Sequence, residues 1–201
     1  MTRRKVQLFA AMFSLMALTF SGAASAGEAT DVVKAKQATL FELLKQDNAA
    51  NTKKIGAVFD EMLDYQALAE ASLGNEWAGR SDAEKAEFRD LLKQLVRKSY
   101  ERNLRKTLNF NIEYLDEKAK GDVITVKTKA ISKTNAREEP VEIEYKLAKK
   151  SGAWRVQDIV TEGVSLVSSY RSQFTKIVKK DGFPALIKKM KDKLAKGDAE
   201  G

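Results

Sequence analysis

The chain has 201 residues and a net charge of +8, with no cysteine and no histidine. Without cysteine there is no disulfide, thiolate nucleophile or thiolate metal site. Without histidine the Ser-His-Asp triad, the commonest general base and every imidazole ligand are excluded, which leaves carboxylates, Ser-Lys pairs or tyrosine for any covalent chemistry.

Thr2-Arg3-Arg4-Lys5 is basic, Val6 to Phe20 is an uncharged apolar run of 15 residues, and Ala24-Ser25-Ala26 has the small-x-small form. That order is the layout of a cleaved secretory signal. Fifteen residues fall short of a comfortable membrane span, and the other uses of such a run are a core helix or a tether. We read 1–26 as a cleaved signal peptide and the protein as exported. Val6-Gln7 is a poor continuation of a twin-arginine signal, and no cysteine follows the cut to carry a lipid anchor. Three of the 36 basic residues and none of the 28 acidic ones fall in 1–26, which leaves +5 on the remainder. That excess favours anionic headgroups or acidic partners and does not point to nucleic acid. Residues 27–196 make one domain, long enough for a real core, and 197–201 read as a disordered tail.

From about Thr30 to Gln46 the apolar positions Val33, Leu40, Phe41 and Leu44 share one helical face, and a turn follows at Asp47-Asn48. A second helix, Thr52 to Asp64, carries Ile55, Val58, Phe59, Met62 and Leu63 in a core-facing stripe. A third, short one ends at Leu73, with Gly74 as its cap. Ser81-Asp82-Ala83-Glu84 is a capping box that opens the longest helix, Asp82 to Thr107.

The period then changes from 3.6 to 2. Phe110, Ile112 and Tyr114 alternate with polar residues, as do Ile124 and Val126, then Val141, Ile143, Tyr145 and Leu147, and a fourth strand runs from Trp154 to Val160. Short turns at Lys120-Gly121-Asp122 and Lys149–Gly152 imply an antiparallel meander. Helical spacing returns from Leu166 to about Lys180. Asp181-Gly182 ends that helix, and Pro184 opens a last one to Leu194. Lys179, Lys180, Lys188, Lys189, Lys191, Lys193 and Lys196 make this tail basic, which reads as a solvated face before a membrane-docking patch. The sum is an α+β domain: N-terminal helices, a four-stranded twisted antiparallel meander, C-terminal helices, and a cleft between sheet and helices.

Two stretches resemble a known family. Leu73-Gly74-Asn75-Glu76-Trp77, with Phe88 and Tyr100 after it, follows a weak LG-x-x-W…F…Y pattern. Trp154 to Phe174, reading WRVQDIVTEGVSLVSSYRSQF, is similar almost throughout to the W-x-V-x-D-[IV]-x-x-[ED]-G-x-S-L-[VIL]-x-x-Y-R-x-x-F signature of the MlaC, or toluene-tolerance, family. Ile143 to Leu147 also matches the family's preceding strand. The resemblance runs from about Thr30 to Leu194. It departs at Gln157, where the family often has an aromatic, and at Ser169, where asparagine is common.

The resemblance implies a periplasmic protein that binds a phospholipid as ligand, without cofactor or metal, and is not an enzyme. Such proteins exchange lipid between an outer-membrane lipoprotein complex and an inner-membrane ABC transporter with an MCE-domain ring, and so maintain outer-membrane asymmetry and solvent tolerance. We expect a monomer. Two tails of about 15 carbons are worth about 24 kcal/mol of burial at about 0.8 kcal/mol per methylene, so a carrier needs a deep apolar cleft.

The expected cleft residues are Tyr100, Leu104, Ile112, Tyr114, Val126, Ile143, Tyr145, Val164, Leu166, Val167, Tyr170 and Phe174, with Phe110, Ile124, Val141 and Leu147 on the same sheet face. Taken singly, each reads first as ordinary core, and the expectation rests on the set. Trp77 and Trp154 read as core anchors. Arg171 is the headgroup candidate, since a guanidinium grips phosphate bidentately; its other use is an ion pair with Asp158 or Glu162. Ser165 reads as a helix cap and Gly163 as a turn. Two other readings stay open: a non-lipid periplasmic interaction or assembly module with a filled core, and an enzyme using Asp158 beside Tyr170.

Overall fold

The structure is a computed structural model that describes residues 27–46 and 48–196. The expectations for 1–26, 197–201 and the Asp47 half of the first turn lie outside the described residues.

Three helices come first: α1 (Glu28–Leu44), α2 (Ala49–Met62) and α3 (Tyr65–Leu73). Each has a physical start. Asn48 accepts from the Asn51 amide to cap α2, and Asp64 accepts from the Ala67 amide to cap α3. The start of α1 is capped from far along the chain. Glu117 accepts from the backbone N–H of Gly27 at 3.3 Å and of Thr30 at 3.0 Å, and from Thr30 Oγ1 at 2.6 Å. A carboxylate at a helix N-terminus faces the positive end of its dipole. Observed boundaries sit two or three residues N-terminal of those expected for α1 and α2, because Gly27 and Asn48 hold the caps.

The long helix α4 (Asp82–Thr107) opens with the expected capping box: Ser81 Oγ accepts from the Glu84 amide, and the Glu84 carboxylate accepts from the Ser81 amide at 2.8 Å. The sheet follows as β1 (Phe110–Lys120), β2 (Val123–Ser132), β3 (Val141–Lys150) and β4 (Ala153–Thr161), each antiparallel to the one before.

It has one strand more than expected. Glu162 and Gly163 both take positive φ (49° and 75°), the backbone of a two-residue hairpin turn, and fold β5 (Val164–Ser165) onto β4. Register shifts at Leu115 in β1 and Gln157 in β4 leave one extra residue on those strands, the device that bends a sheet. Then come α5 (Leu166–Asp181), which Ser165 caps through the Ser168 amide, and α6 (Phe183–Ala195), with Pro184 in its first turn.

One sheet face carries the buried alternation Ile124, Val126, Thr128 and Ala130 and their register partners Leu147, Tyr145, Ile143 and Val141. Against the sheet, α1 approaches β1 and β2, α2 and α3 approach β4, and α5 approaches β4 and β5. Helix α4 stands off it and packs instead on α1, α2, α3 and α6. At its N-terminal end the gap is filled. Phe88 sits edge-on to Phe174 at 5.5 Å between centroids, with Trp77 at 6.5 Å and Phe183 at 6.3 Å. Both tryptophans are core anchors; Trp154 Nε1 also donates to Glu28 at 2.9 Å.

Candidate functional site

At the C-terminal end of α4 the gap is open. A cavity of about 470 Å³ lies there, lined by Tyr100 and Leu104 of α4, Phe110 and Ile112 of β1, Val141, Ile143 and Tyr145 of β3, Ile159 of β4, Val164 of β5 and Leu166 of α5. Its polar lining is Gln37, Ser99, Asn103, Lys106, Thr107, Thr161 and Ser169.

The reason it is hollow is local to α4. Ser99, Asn103 and Thr107 fall at i, i+4 and i+8, one stripe of a helix, where the first half of α4 places Phe88, Leu92, Leu95 and Val96. Small polar side chains on the facing stripe do not reach the sheet.

Burial grades along the cavity. Tyr145, Gln37 and Ile159 are almost fully buried at one end, Ile143 and Thr107 are intermediate, and Lys106 and Val164 are exposed at the other. The container is therefore one-ended. The deep end is closed by hydrogen bonds: Gln37 Nε2 donates to the Tyr145 hydroxyl at 2.9 Å, and the Tyr114 hydroxyl donates to Gln37 Oε1. Burial pushes the Tyr100 and Tyr145 phenols well above their usual range and that of Tyr114 up to about 12, so all three stay neutral at physiological pH. Among the described residues, the lining there carries no formal charge. At the rim, Lys106 makes no ion pair among the described residues.

Of the twelve residues expected in the cleft, the cavity brings together Tyr100, Leu104, Ile112, Ile143, Tyr145, Val164 and Leu166. Tyr114 is not in the lining, and its hydroxyl bonds to Gln37, which is. Val126 is fully buried on the inner sheet face, opposite Tyr145 in β3. Val167, Tyr170 and Phe174 belong to the helical core, where Tyr170 stacks on Phe174 at 5.1 Å.

Arg171 is not at the cavity. Its Nε donates to the Ala71 carbonyl at 2.7 Å, and its side chain fills the space beside Gly74, where an added Cβ would stand 3.4 Å from Nε. The geometry corrects both earlier uses of this residue, since neither a phosphate seat at the cavity nor a bond to Asp158 or Glu162 results. Two residues past Ser169, its direction on α5 is toward α3. Asp158 is structural as well: it accepts from Ser165 Oγ at 2.8 Å and the Val167 amide at 3.1 Å, and pairs with Lys146 at 3.2 Å. With its oxygens spent on the start of α5, the acid-base pairing with Tyr170 finds no support.

Gln37, Ser99, Asn103, Lys106, Thr107, Ile159, Thr161 and Ser169 were not legible as site residues. The signal for three of them was present, as a small polar stripe on a helix that is otherwise core-facing.

The build is that of an α+β domain whose antiparallel sheet and helices enclose a one-ended apolar container. The family model for the MlaC protein matches residues 25–192, and the chain belongs to that family. It is 27% identical over 138 residues to the intermembrane phospholipid transport system binding protein MlaC of Haemophilus influenzae. That stretch covers 66% of this chain and 64% of the relative, so it spans a little under two thirds of that protein's length. The fold is shared with a phospholipid-binding protein from Ralstonia solanacearum solved in complex with a phospholipid. The TM-score is 0.70 at 22% identity, over 84% of this chain and 97% of that one.

Proposed function

We propose that this protein binds a phospholipid in the α4–sheet cavity and carries it across the periplasm, between an outer-membrane lipoprotein complex and an inner-membrane ABC transporter with an MCE ring. The protein is exported, loses 1–26, acts as a monomer and alters no covalent bond. The observation that carries this reading is the cavity itself. It is apolar in its walls, closed at the Gln37 end and open at the end where Lys106 stands. An acyl chain gains about 0.8 kcal/mol per buried methylene there, while the phosphate stays in water beside an ammonium. Lys106, rather than Arg171, is the headgroup contact of this reading. The H. influenzae relative and the lipid-bound R. solanacearum structure support it by what they are named to bind.

Native mass spectrometry of protein purified without detergent tests binding. The expected result is a mass increment that organic extraction identifies as phospholipid. A bare mass that takes up nothing from anionic vesicles would point instead to an interaction module with an unused hollow. Transfer of labelled phospholipid between two vesicle populations, accelerated by the protein, tests carriage.

A further inference from the structure

The positive charge of the domain is concentrated in one hairpin. Residues 27–165 carry 24 basic and 24 acidic side chains, while 166–196, which holds α5 and α6, carries nine and two. Helix periodicity turns that excess outward. On α5 the buried Val167 and Phe174 face the core, and Lys176, Lys179 and Lys180, at i, i+3 and i+4, share the exposed side. On α6 the buried Phe183, Leu186, Ile187 and Met190 face inward, and Lys189, Lys193 and Lys196, at i, i+4 and i+7, share an exposed side. The two sides meet at the turn. Asp181 pairs with Lys189 at 2.9 Å, and Lys189 and Lys180 together hold its carboxyl below the usual range. Among the described residues the other five lysines make no ion pair, whereas Lys188 and Lys191 are spent on Asp192 and Glu87. The helix dipoles favour Lys179, Lys180 and Lys193 in the last turns, but Lys176 and Lys189 stand outside those turns.

We propose that this lysine face docks the protein on an anionic lipid surface. The residue types choose the partner. Protein interfaces are enriched in arginine and aromatics and depleted in lysine. All six residues here are lysines, and an ammonium on a flexible stem suits a fluid sheet of phosphates better than a fixed carboxylate. Among the described residues the exposed large apolar side chains, Leu115 and Val164, lie outside α5 and α6, so the hold is electrostatic and reversible. It does not depend on what fills the cavity.

Co-sedimentation with phosphatidylcholine vesicles, with and without phosphatidylglycerol, tests it. Binding is expected only with phosphatidylglycerol, and salt at about 1 M, where the screening length falls to about 3 Å, should release it. Lys176→Gln/Lys180→Gln/Lys193→Gln should weaken partition about 100-fold, at about fivefold per lysine. Phospholipid retained in native mass spectrometry should not change, since none of the three lines the cavity. Lys53→Gln/Lys54→Gln/Lys120→Gln, an equal loss of charge at exposed sites elsewhere, should leave partition nearly intact. Equal weakening in both triple variants overturns the face, because net charge alone would then attract the vesicles. Wild-type protein that ignores phosphatidylglycerol vesicles at low salt overturns docking on lipid, whether or not the variants fold. Lipid-free protein that still docks supports the proposal while removing the lipid-binding reading.

Discussion

The two halves of α4 continue one inward stripe and end differently. In the first, Phe88, Leu92 and Val96 are at most 1% exposed, and Phe88 packs on Phe174 of α5 and Phe183 of α6. In the second, the positions that should continue that stripe are Ser99, Asn103 and Thr107, and the helix faces a void. A polar substitution on a core-facing stripe is ordinarily a defect, because it buries a group that wants water. Here the stripe lines a cavity, so its polar groups are not pressed against an apolar neighbour. A filled core and a cavity are thus made from one helix by changing which residue type occupies its inner face.

The comparison breaks most sharply at Phe88. Replacing it with alanine removes the ring that three aromatics pack against and leaves a closed void, at an expected cost of about 3–5 kcal/mol in urea unfolding. Lipid occupancy of surviving folded protein should be unchanged, because Phe88 is not part of the cavity lining.

Next in size is the effect of the ligand. A phospholipid at a hundred times its dissociation constant should raise unfolding free energy by about 2.7 kcal/mol. Ile143→Asp puts a carboxylate on the cavity wall, next to water, and should abolish that gain. The unliganded variant should unfold close to the wild type. If both lose stability equally, the open half is core after all.

Leu104→Ala should cost only about 1–2 kcal/mol, less than half of what the filled half charges for a comparable truncation. Leu104 already borders a hollow, so removing it strips contacts on one side only. A cost of 3 kcal/mol or more, measured beside Phe88→Ala, would mean that the two halves of α4 are packed alike.

The uneven legibility of the sequence has the same physical origin. Periodicity reports which face of an element is apolar, so the helices, the meander and the capping box at Ser81 were readable. Both β-bulges and the Glu117 contact to α1 depend on pairings between separate elements, and β5, at two residues, is too short to show a period, so none of them left a periodic trace. The site was half readable for a sharper reason. Leu166 and Val167 are adjacent apolar residues in one signature, yet one lines the cavity and the other seals the core. Hydrophobicity says that a side chain leaves water; it does not say whether protein or ligand receives it. Arg171 shows the converse. A guanidinium on an apolar helix looked like a phosphate seat, and its use is to hold the Ala71 carbonyl at the end of α3.

The smallest expected effect lies at the far end of β1. Glu117→Gln keeps an acceptor for the Gly27 and Thr30 amides but loses the charge that faces the α1 dipole, a cost of about 0.5–1 kcal/mol at low salt, fading as salt screens it. The contact has a second use if the chain is cut after Ala26. Cutting turns the Gly27 amide into an ammonium 3.3 Å from the Glu117 carboxylate. An amide hydrogen bond then becomes an ion pair, and the ammonium's own repulsion from the helix dipole is offset. The same substitution should therefore cost more in protein beginning at Gly27 than in the uncut chain. Chemical unfolding of the two forms, each with and without Glu117→Gln, measures the difference. Equal costs would mean that the fold does not sense the cut, and that α1 docks on β1 through neutral hydrogen bonds alone.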